Sequence, residues 1–578
     1  MSRSRRDWWL DDIHIEEDEE DEESEEDDGD GDEDMLDMLA GRQQQDAGGG
    51  SNTDPRPIGL VDLLEILYYR RTRAAPELFR RAAEQGDSSP SRLFPEVKEP
   101  QPAGLELLRG GEFGRAEIHT RIETGGVSMY DVLERRRMSA RRVLKEDIAR
   151  PLIPNSRGTI VAKYTSNVYA GQYSADSSFY YTCCQDFNVH IYDTTSTRKV
   201  ARRETQHETT MDHMKTIRGA HGYWTITDSH LSPDNERIIY ASISPTVYMA
   251  KTKAMDDEQI PINFSNSGEG HGIWSCRFSA DGNEIVAGGK THIFVYDLLA
   301  MRRTVKIVAH EDDVNSCCWA DTASGNILIS GSDDTFVKVW DRRSLGSSAK
   351  PAGVLVGHTE GITHVSSKGD GRYIISNGKD QAVRLWDLRK MMSSPDFDAM
   401  PKLDYGLKYF DYRSYEYRKP RYLAHPKDNS VMTYRGHSVL RTLIRCYFSP
   451  AETTGGSYIY SGSADGEIHI WSLDGRVAQI INRCEVWPIS FDPSDRDAGP
   501  GTNGIRHPVC VRDVSWHTQE PVLMSCAWDE DMYRSSGSVA KHEWKGYGKN
   551  GMSIEDVVER DELEEQEMGR IPGAWRRS

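Results

Sequence analysis

Three segments of the chain carry the same three residues at the same two spacings. Ser330, Asp334 and Trp340 lie four and six residues apart; Ser376, Asp380 and Trp386 repeat this, and so do Ser461, Asp465 and Trp471. A histidine precedes each set, His310, His358 and His437, and only the His-to-Ser distance varies, at 20, 18 and 24 residues. Fixed spacing with the slack confined to one loop marks a repeated β unit. Asp suits the tight turn between two hairpin strands, where it accepts backbone hydrogen bonds. From that turn it can bond the histidine, the histidine can reach the serine, and the serine can accept the indole N–H of the tryptophan. The result is a closed polar network in a half-buried place.

An Asp-His-Ser set raises the question of hydrolase chemistry. An active site occurs once, however, and this set recurs, so it reads as architecture and no catalytic residue is assigned. Weaker copies extend the series. Thr182, Asp186 and Tyr192-Asp193 keep the spacing without the histidine, and His271-Gly272, Asp281 and Tyr296-Asp297 keep the outline. Further units begin near Leu231-Ser232-Pro233-Asp234 and Cys510-Val511-Arg512. Seven units with Gly-His and Trp-Asp punctuation at a period of about 45 residues predict an all-β fold, a seven-bladed WD40 β-propeller over 151–545. Such a ring closes by completing one blade from both ends of the chain, which makes 158–168 the candidate outer strand of the last blade. The final unit is atypical, with Trp528-Asp529-Glu530-Asp531 where a Trp-Asp hairpin is expected.

The 578 residues leave room for flanks around this core. The net charge of −21 is local: residues 11–34 hold 18 Asp or Glu and no Lys or Arg. That run cannot bury apolar area, so 1–57 reads as a disordered acidic tail and linker. Residues 58–150 form a helical extension. Within it 60–71 is a short apolar helix that needs an acceptor, either the propeller's edge or a partner's groove. A second helical candidate, 128–149, mixes Val132, Leu133 and Leu144 with five arginines. An insertion at 391–433, placed between two blades, is rich in Tyr and Arg (Tyr405, Tyr409, Tyr412, Arg413), which suits protein recognition, with RNA stacking as the competing use. Residues 546–578 read as an acidic C-terminal tail. No apolar run approaches the roughly 20 residues that span a bilayer, and no secretory signal or membrane partner is expected. The nine cysteines show no CxxC spacing and read as buried reduced thiols, so no metal and no cofactor are expected.

Two consecutive units end in Trp340-Asp341-Arg342-Arg343 and Trp386-Asp387-Leu388-Arg389. No strand needs a charge there, and a repeated Arg at the end of a blade points to a surface that something docks against. The runs His310-Glu311-Asp312-Asp313-Val314-Asn315, Asp370-Gly371-Arg372-Tyr373-Ile374-Ile375 and Met432-Thr433-Tyr434-Arg435-Gly436-His437 resemble the WD-repeat protein 23 family. So does Ser438-Val439-Leu440-Arg441-Thr442-Leu443-Ile444-Arg445-Cys446, which no WD40 pattern dictates. The members of that family, related to plant LEC14B-type proteins, are substrate receptors of cullin-4 ubiquitin ligases, and the likeness spans about 150–530. The resemblance implies a non-catalytic subunit that binds the ligase adaptor, and through it the cullin-4/RING assembly. The implied contacts are Asp341, Arg343, Asp387 and Arg389, with 128–149 as the preceding helical element, and an unknown protein is recruited for ubiquitination. The reduced thiols point to nucleus and cytoplasm, and without a basic patch nucleic acid is not an expected partner. The alternative is a WD40 scaffold in a chromatin or RNA-processing complex without ligase involvement, because one fold serves many functions.

Overall fold

The computed structural model describes residues 93–94, 97–113 and 149–546, less short internal stretches of which 490–508, 196–201 and 266–270 are the longest. The acidic run, the 60–71 helix, all but the last residue of 128–149 and the C-terminal tail lie outside the described residues. What is described falls in one compact unit, Gln85–Ser578.

Seven antiparallel sheets form a seven-bladed propeller, six of four strands ordered a-b-c-d from the axis outward and a seventh that adds two short outer strands, His207–Thr209 and Arg202–Arg203. Blade 1 runs Val168–Tyr173, Phe179–Cys184, Asn188–Asp193 and Asp212–Arg218. Blades 2 and 3 begin at Ile226–Leu231 and Ile273–Phe278. Blade 4 is Val314–Trp319, Ile327–Ser332, Val337–Asp341 and Gly353–Leu355. Blade 5 is Ile362–Ser367, Tyr373–Gly378, Ala382–Asp387 and Met432–Tyr434, and blade 6 is Cys446–Phe448, Tyr458–Gly462, Glu467–Ser472 and Val477–Asn482. Blade 7 takes Val509–Trp516, Val522–Asp531 and Arg534–Glu543 from the end of the chain and Thr159–Tyr164 from its other side. The ring therefore closes despite the atypical last unit: strand pairing runs Thr159↔Lys541 to Tyr164↔Gly537, and Trp528 Nε1 donates to Val168 O at 2.8 Å.

The insertion lies within blade 5 and not between two blades, since its last residues form that blade's fourth strand, Met432–Tyr434. A three-residue strand carries too little apolar pattern to be seen in sequence. The inserted chain runs along the outer strand of blade 4, where Val354 and Met392 exchange backbone hydrogen bonds. It then caps the far end of blade 5, where Leu407 N donates to Glu360 Oε1 at 2.5 Å.

Trp340, Trp386 and Trp471 are each packed back against the preceding blade. Trp340 meets Ile293 and Val295, Trp386 meets Val337 and Val339, and Trp471 meets Tyr373 and Leu385. Burying about 200 Å² of apolar surface per indole contributes about 5 kcal/mol each, which explains why this residue punctuates the repeat. The inner strands lock the blades in another way. One backbone N–H of strand a turns toward the preceding blade, where a side chain accepts it; in blades 1, 3, 4 and 5 a register shift in strand a lies beside it. Gly171 N reaches Asp513, Cys276 N reaches Asp228, Cys317 N reaches Ser275, Val365 N reaches Ser316 and Cys446 N reaches His364.

Arg445 crosses the axis from blade 6. Its guanidinium meets Asp228 of blade 2 at 2.9 Å and Asp513 of blade 7 at 3.5 Å, and Arg277 of blade 3 closes on Asp228 as well. All these groups are nearly or wholly buried, so this charge network fills the channel at its level. Burial opposes ionisation of Asp228, but Arg277 and Arg445 outweigh it and hold the carboxyl far below its ordinary range.

Candidate docking face

Antiparallel order puts the a–b and c–d connections at one end of every blade and the b–c and d–a connections at the other. The Trp-Asp-x-Arg motifs end their c strands, so both lie at the first end.

Asp341 and Asp387 are the last residues of their c strands, and each caps a single 3₁₀ turn, accepting the backbone N–H of Arg343 or Arg389 at 3.0 Å. The same carboxylate then takes the arginine side chain. Arg343 donates from Nε to Asp341 Oδ1 at 2.9 Å and from Nη2 to Oδ2 at 2.8 Å, and Arg389 donates from Nη2 to Asp387 Oδ2 at 2.7 Å. Each guanidinium is thus fixed by one edge. The other edge, Nη1, has no partner among the described residues, and the side chains are 67 % and 65 % exposed. The arrangement presents planar donors already ordered, a form suited to carboxylates and carbonyls of a partner. Hydrogen bonding to Arg343 holds the Asp341 carboxyl below its usual range.

The two copies differ in what lies behind them. Arg342 reaches sideways to the preceding blade and grips Glu284 of blade 3 with two bonds of 2.6 and 2.7 Å. Asp387 is shared: Arg372 donates to it from Nε and Nη2 at 3.2 and 3.0 Å, while Arg372 Nη1 bonds Glu112. Tyr373 donates its hydroxyl to the same Glu112 carboxylate at 2.6 Å, which lowers that carboxyl together with Arg372.

Glu112 belongs to a segment that no residue pattern singled out. Helix α1, Pro102–Arg109, starts with Pro at its first turn and buries Leu108. Gln101 N donates to Asp474 O at 2.8 Å, and a β-carbon at Gly104 would stand 2.4 Å from Asp474 Cα, so only glycine lets the helix settle on blade 6. Phe113, fully buried, packs on Tyr373 with ring centroids 4.7 Å apart, and Arg150 binds both Phe113 O and Ser457. The N-terminal helix described at this end is α1, whereas the expected element 128–149 lies almost wholly outside the described residues. Helix α1 rests on blade 6, and Glu112 and Phe113 just beyond it reach Arg372 and Tyr373 of blade 5. A third fold-back pair, Arg476 on Asp474, sits beneath it. The repeated Asp-x-Arg of 474–476 and 411–413 was the signal available in the sequence.

At the opposite end the blade networks can be compared directly. In blade 4, His310 Nδ1 donates to Asp334 (2.8 Å), His310 Nε2 accepts from Ser330 Oγ (2.7 Å) and Trp340 Nε1 donates to Ser330 Oγ (3.0 Å). Blade 5 has the same circuit among His358, Asp380, Ser376 and Trp386 at 2.9, 2.7 and 2.8 Å. Burial pushes both imidazoles toward the neutral form that this direction of donation requires. Blade 6 does not close the circuit expected of His437, Ser461, Asp465 and Trp471. His437 Nε2 bonds Asn377 of blade 5 at 2.9 Å, Trp471 Nε1 donates to Arg435 O, and Ser461 Oγ donates to Arg445 O. The longer His-to-Ser connection, which sends Arg445 into the axis, carries His437 over to blade 5, away from Asp465.

None of the nine cysteines forms a disulfide; eight are buried and Cys484 is exposed. Among the described residues no helix is long and apolar enough to cross a membrane.

The geometry defines a WD40 propeller with an arginine-bearing end, and the WD domain, G-beta repeat profile matches 263–297, 302–341, 349–387 and 428–472. The LEC14B protein of Lithospermum erythrorhizon is 40% identical over 407 residues, covering 68% of this chain and 76% of that protein. The LEC14B homolog of Prunus armeniaca is 40% identical over 400 residues. The DDB1- and CUL4-associated factor 11 homolog of Caenorhabditis elegans is 34% identical over 316 residues, 53% of this chain and 51% of that protein. The chain belongs to the WD-repeat protein 23 family, with the LEC14B proteins.

Proposed function

We propose that this protein is a non-catalytic substrate receptor of a cullin-4 ubiquitin ligase that binds the adaptor DDB1 through Arg343 and Arg389 and recruits a protein for ubiquitination. The observation that carries the reading is the pair of ordered, outward guanidinium edges on adjacent blades, each side chain two-thirds exposed. The name of the nematode relative, which states association with DDB1 and CUL4, supports it. The mechanism is proximity: holding a target protein on the ligase raises the effective concentration of its lysines near the charged ubiquitin carrier. The receptor breaks and makes no bond, and it acts where the ligase acts, in nucleus and cytoplasm.

The test is co-purification of the adaptor with full-length protein and with Arg343→Ala/Arg389→Ala. Both side chains are two-thirds exposed, so the variant should melt with the parent. Loss of charge-assisted bonds at both positions should weaken adaptor binding on the order of 100-fold. A folded double variant that retains the adaptor at parental affinity would favour a ligase-independent scaffold and sink the proposal.

A further inference from the structure

Blade 6 departs from its neighbours at one more position. In blades 4 and 5 the turn aspartate has a fixed cation four residues on: Lys338 Nζ lies 3.7 Å from Asp334, and Arg384 Nη2 lies 3.7 Å from Asp380. Burial opposes ionisation of Asp334 and Asp380, but the paired histidine and this cation outweigh it and hold both carboxyls low. In blade 6 the residue four beyond Asp465 is His469, and two beyond it stands a second carboxylate, Glu467. Strand alternation puts Glu467 and His469 on one face, directly after the turn that carries Asp465. One ligating atom from each of the three lies within 4.8 Å of the others.

His469 is 2% exposed, and neither of its ring nitrogens has a hydrogen-bond partner. Buried polar atoms of this kind are normally satisfied, so two orphans on one ring call for an explanation. Nε2 stands 3.2 Å from Glu467 Oε2, near enough to bond but not aligned for it. That separation is close to the edge of a coordination tetrahedron, since metal–ligand bonds of about 2.0–2.1 Å open to about 3.3 Å between ligands. The ring is held in place by stacking on Trp471, with centroids 5.5 Å apart and planes at 18°. Two carboxylates at one turn without Lys or Arg are short of positive charge.

We propose that Asp465, Glu467 and His469 form a binding site for a divalent transition-metal ion of the zinc type, with the fourth position open to solvent beside exposed Asp465. One imidazole and two carboxylates suit zinc or its first-row neighbours better than magnesium or calcium, which take oxygen ligands alone. The ion replaces the Lys or Arg of the neighbouring blades and ties the turn to strand c of blade 6, at the end of the propeller opposite the docking face. This site is independent of the ligase reading.

The test is calorimetric titration of the chelator-treated, full-length protein with zinc chloride, alongside thermal melts. The expected result is a site of micromolar or tighter affinity whose filling raises the melting temperature. His469→Lys copies blade 4, so it should fold, and it should lose this site and the zinc-dependent rise. Glu467→Gln should weaken binding at least tenfold. Cys484→Ser should bind as the parent does; its thiol lies against Gly466 and is the neighbouring soft donor. Unchanged zinc affinity in folded His469→Lys, loss of the site in Cys484→Ser, or absence of binding by the parent would each overturn the proposal.

Discussion

Arg445 offers the sharpest test of how the ring is held. Replacing it with Met keeps most of the side-chain volume and removes the charge. Asp228 would retain Arg277, but Asp513 would lose its directly bonded cation and keep neutral donors: Gly171 N and Val514 N at 3.0 Å, Gln172 Nε2 at 2.9 Å and the Tyr447 hydroxyl at 3.1 Å. Removing one partner of a buried pair costs about 3–5 kcal/mol, and the surviving hydrogen bonds to Asp513 place the cost at the lower end, about 3 kcal/mol. For the roughly 385 residues of the propeller, an unfolding entropy of about 0.8 kcal/mol/K turns this into a fall of about 4 °C in Tm. Adding Asp513→Asn removes the stranded charge and should restore more than half of the loss, a non-additivity that a double-mutant cycle reads directly. Scanning calorimetry of the parent, both single variants and the double variant gives the cycle. A loss below 1 kcal/mol for Arg445→Met, or no recovery in the double variant, would mean that the axial network does not carry the blades.

Asp387→Asn should destabilise by about 2 kcal/mol in guanidinium titration, and Asp341→Asn by clearly less, because Asp387 is 4% exposed and binds two arginines while Asp341 binds one at 23% exposure. Phe113→Ala should detach the 97–113 segment, at a local cost of about 3 kcal/mol, and limited proteolysis should then cut there first; an unchanged cleavage pattern would refute the docking. Burial depresses His190, His230 and His542 to about 3, so the unfolded chain takes up these protons first as pH falls from about 6.5. Stability is greatest above pH 6.5 and should fall by about 4 kcal/mol per pH unit near pH 5, and a Tm equal at pH 7 and 5 would contradict it.

The fold was legible because its signals are local. Ser-x3-Asp-x5-Trp spans one hairpin, and the packing of Trp340 or Trp386 needs no more than the next blade. His437 shows the limit of such reading. It has the same spacing partners as His310, yet Asn377, 60 residues earlier, takes its hydrogen bond. Arg445 lay in a run that looked specific without a reason, and its reason is Asp228, 217 residues away. Glu112 and Phe113 were missed for the same cause: their partners Arg372 and Tyr373 are about 260 residues distant, and nothing near them has a period.

Burial decides what an aspartate–cation pair does in this molecule. Arg384 and Asp380, each 1% exposed, are sealed in blade 5, where parting them would leave a bare charge in a low dielectric, so the pair is structural. Arg389 and Asp387 use the same chemistry with the guanidinium two-thirds in water, where the pair itself is weak and the open Nη1 edge costs little to re-pair. Asp387 also reaches Glu112 through Arg372, so the carboxylate that orients the outward arginine is held by the segment beside it. Release of 97–113 would therefore loosen Arg389 before Arg343, whose aspartate has no such link among the described residues. The two motifs look alike in sequence, yet only the blade 5 copy should respond to the N-terminal segment.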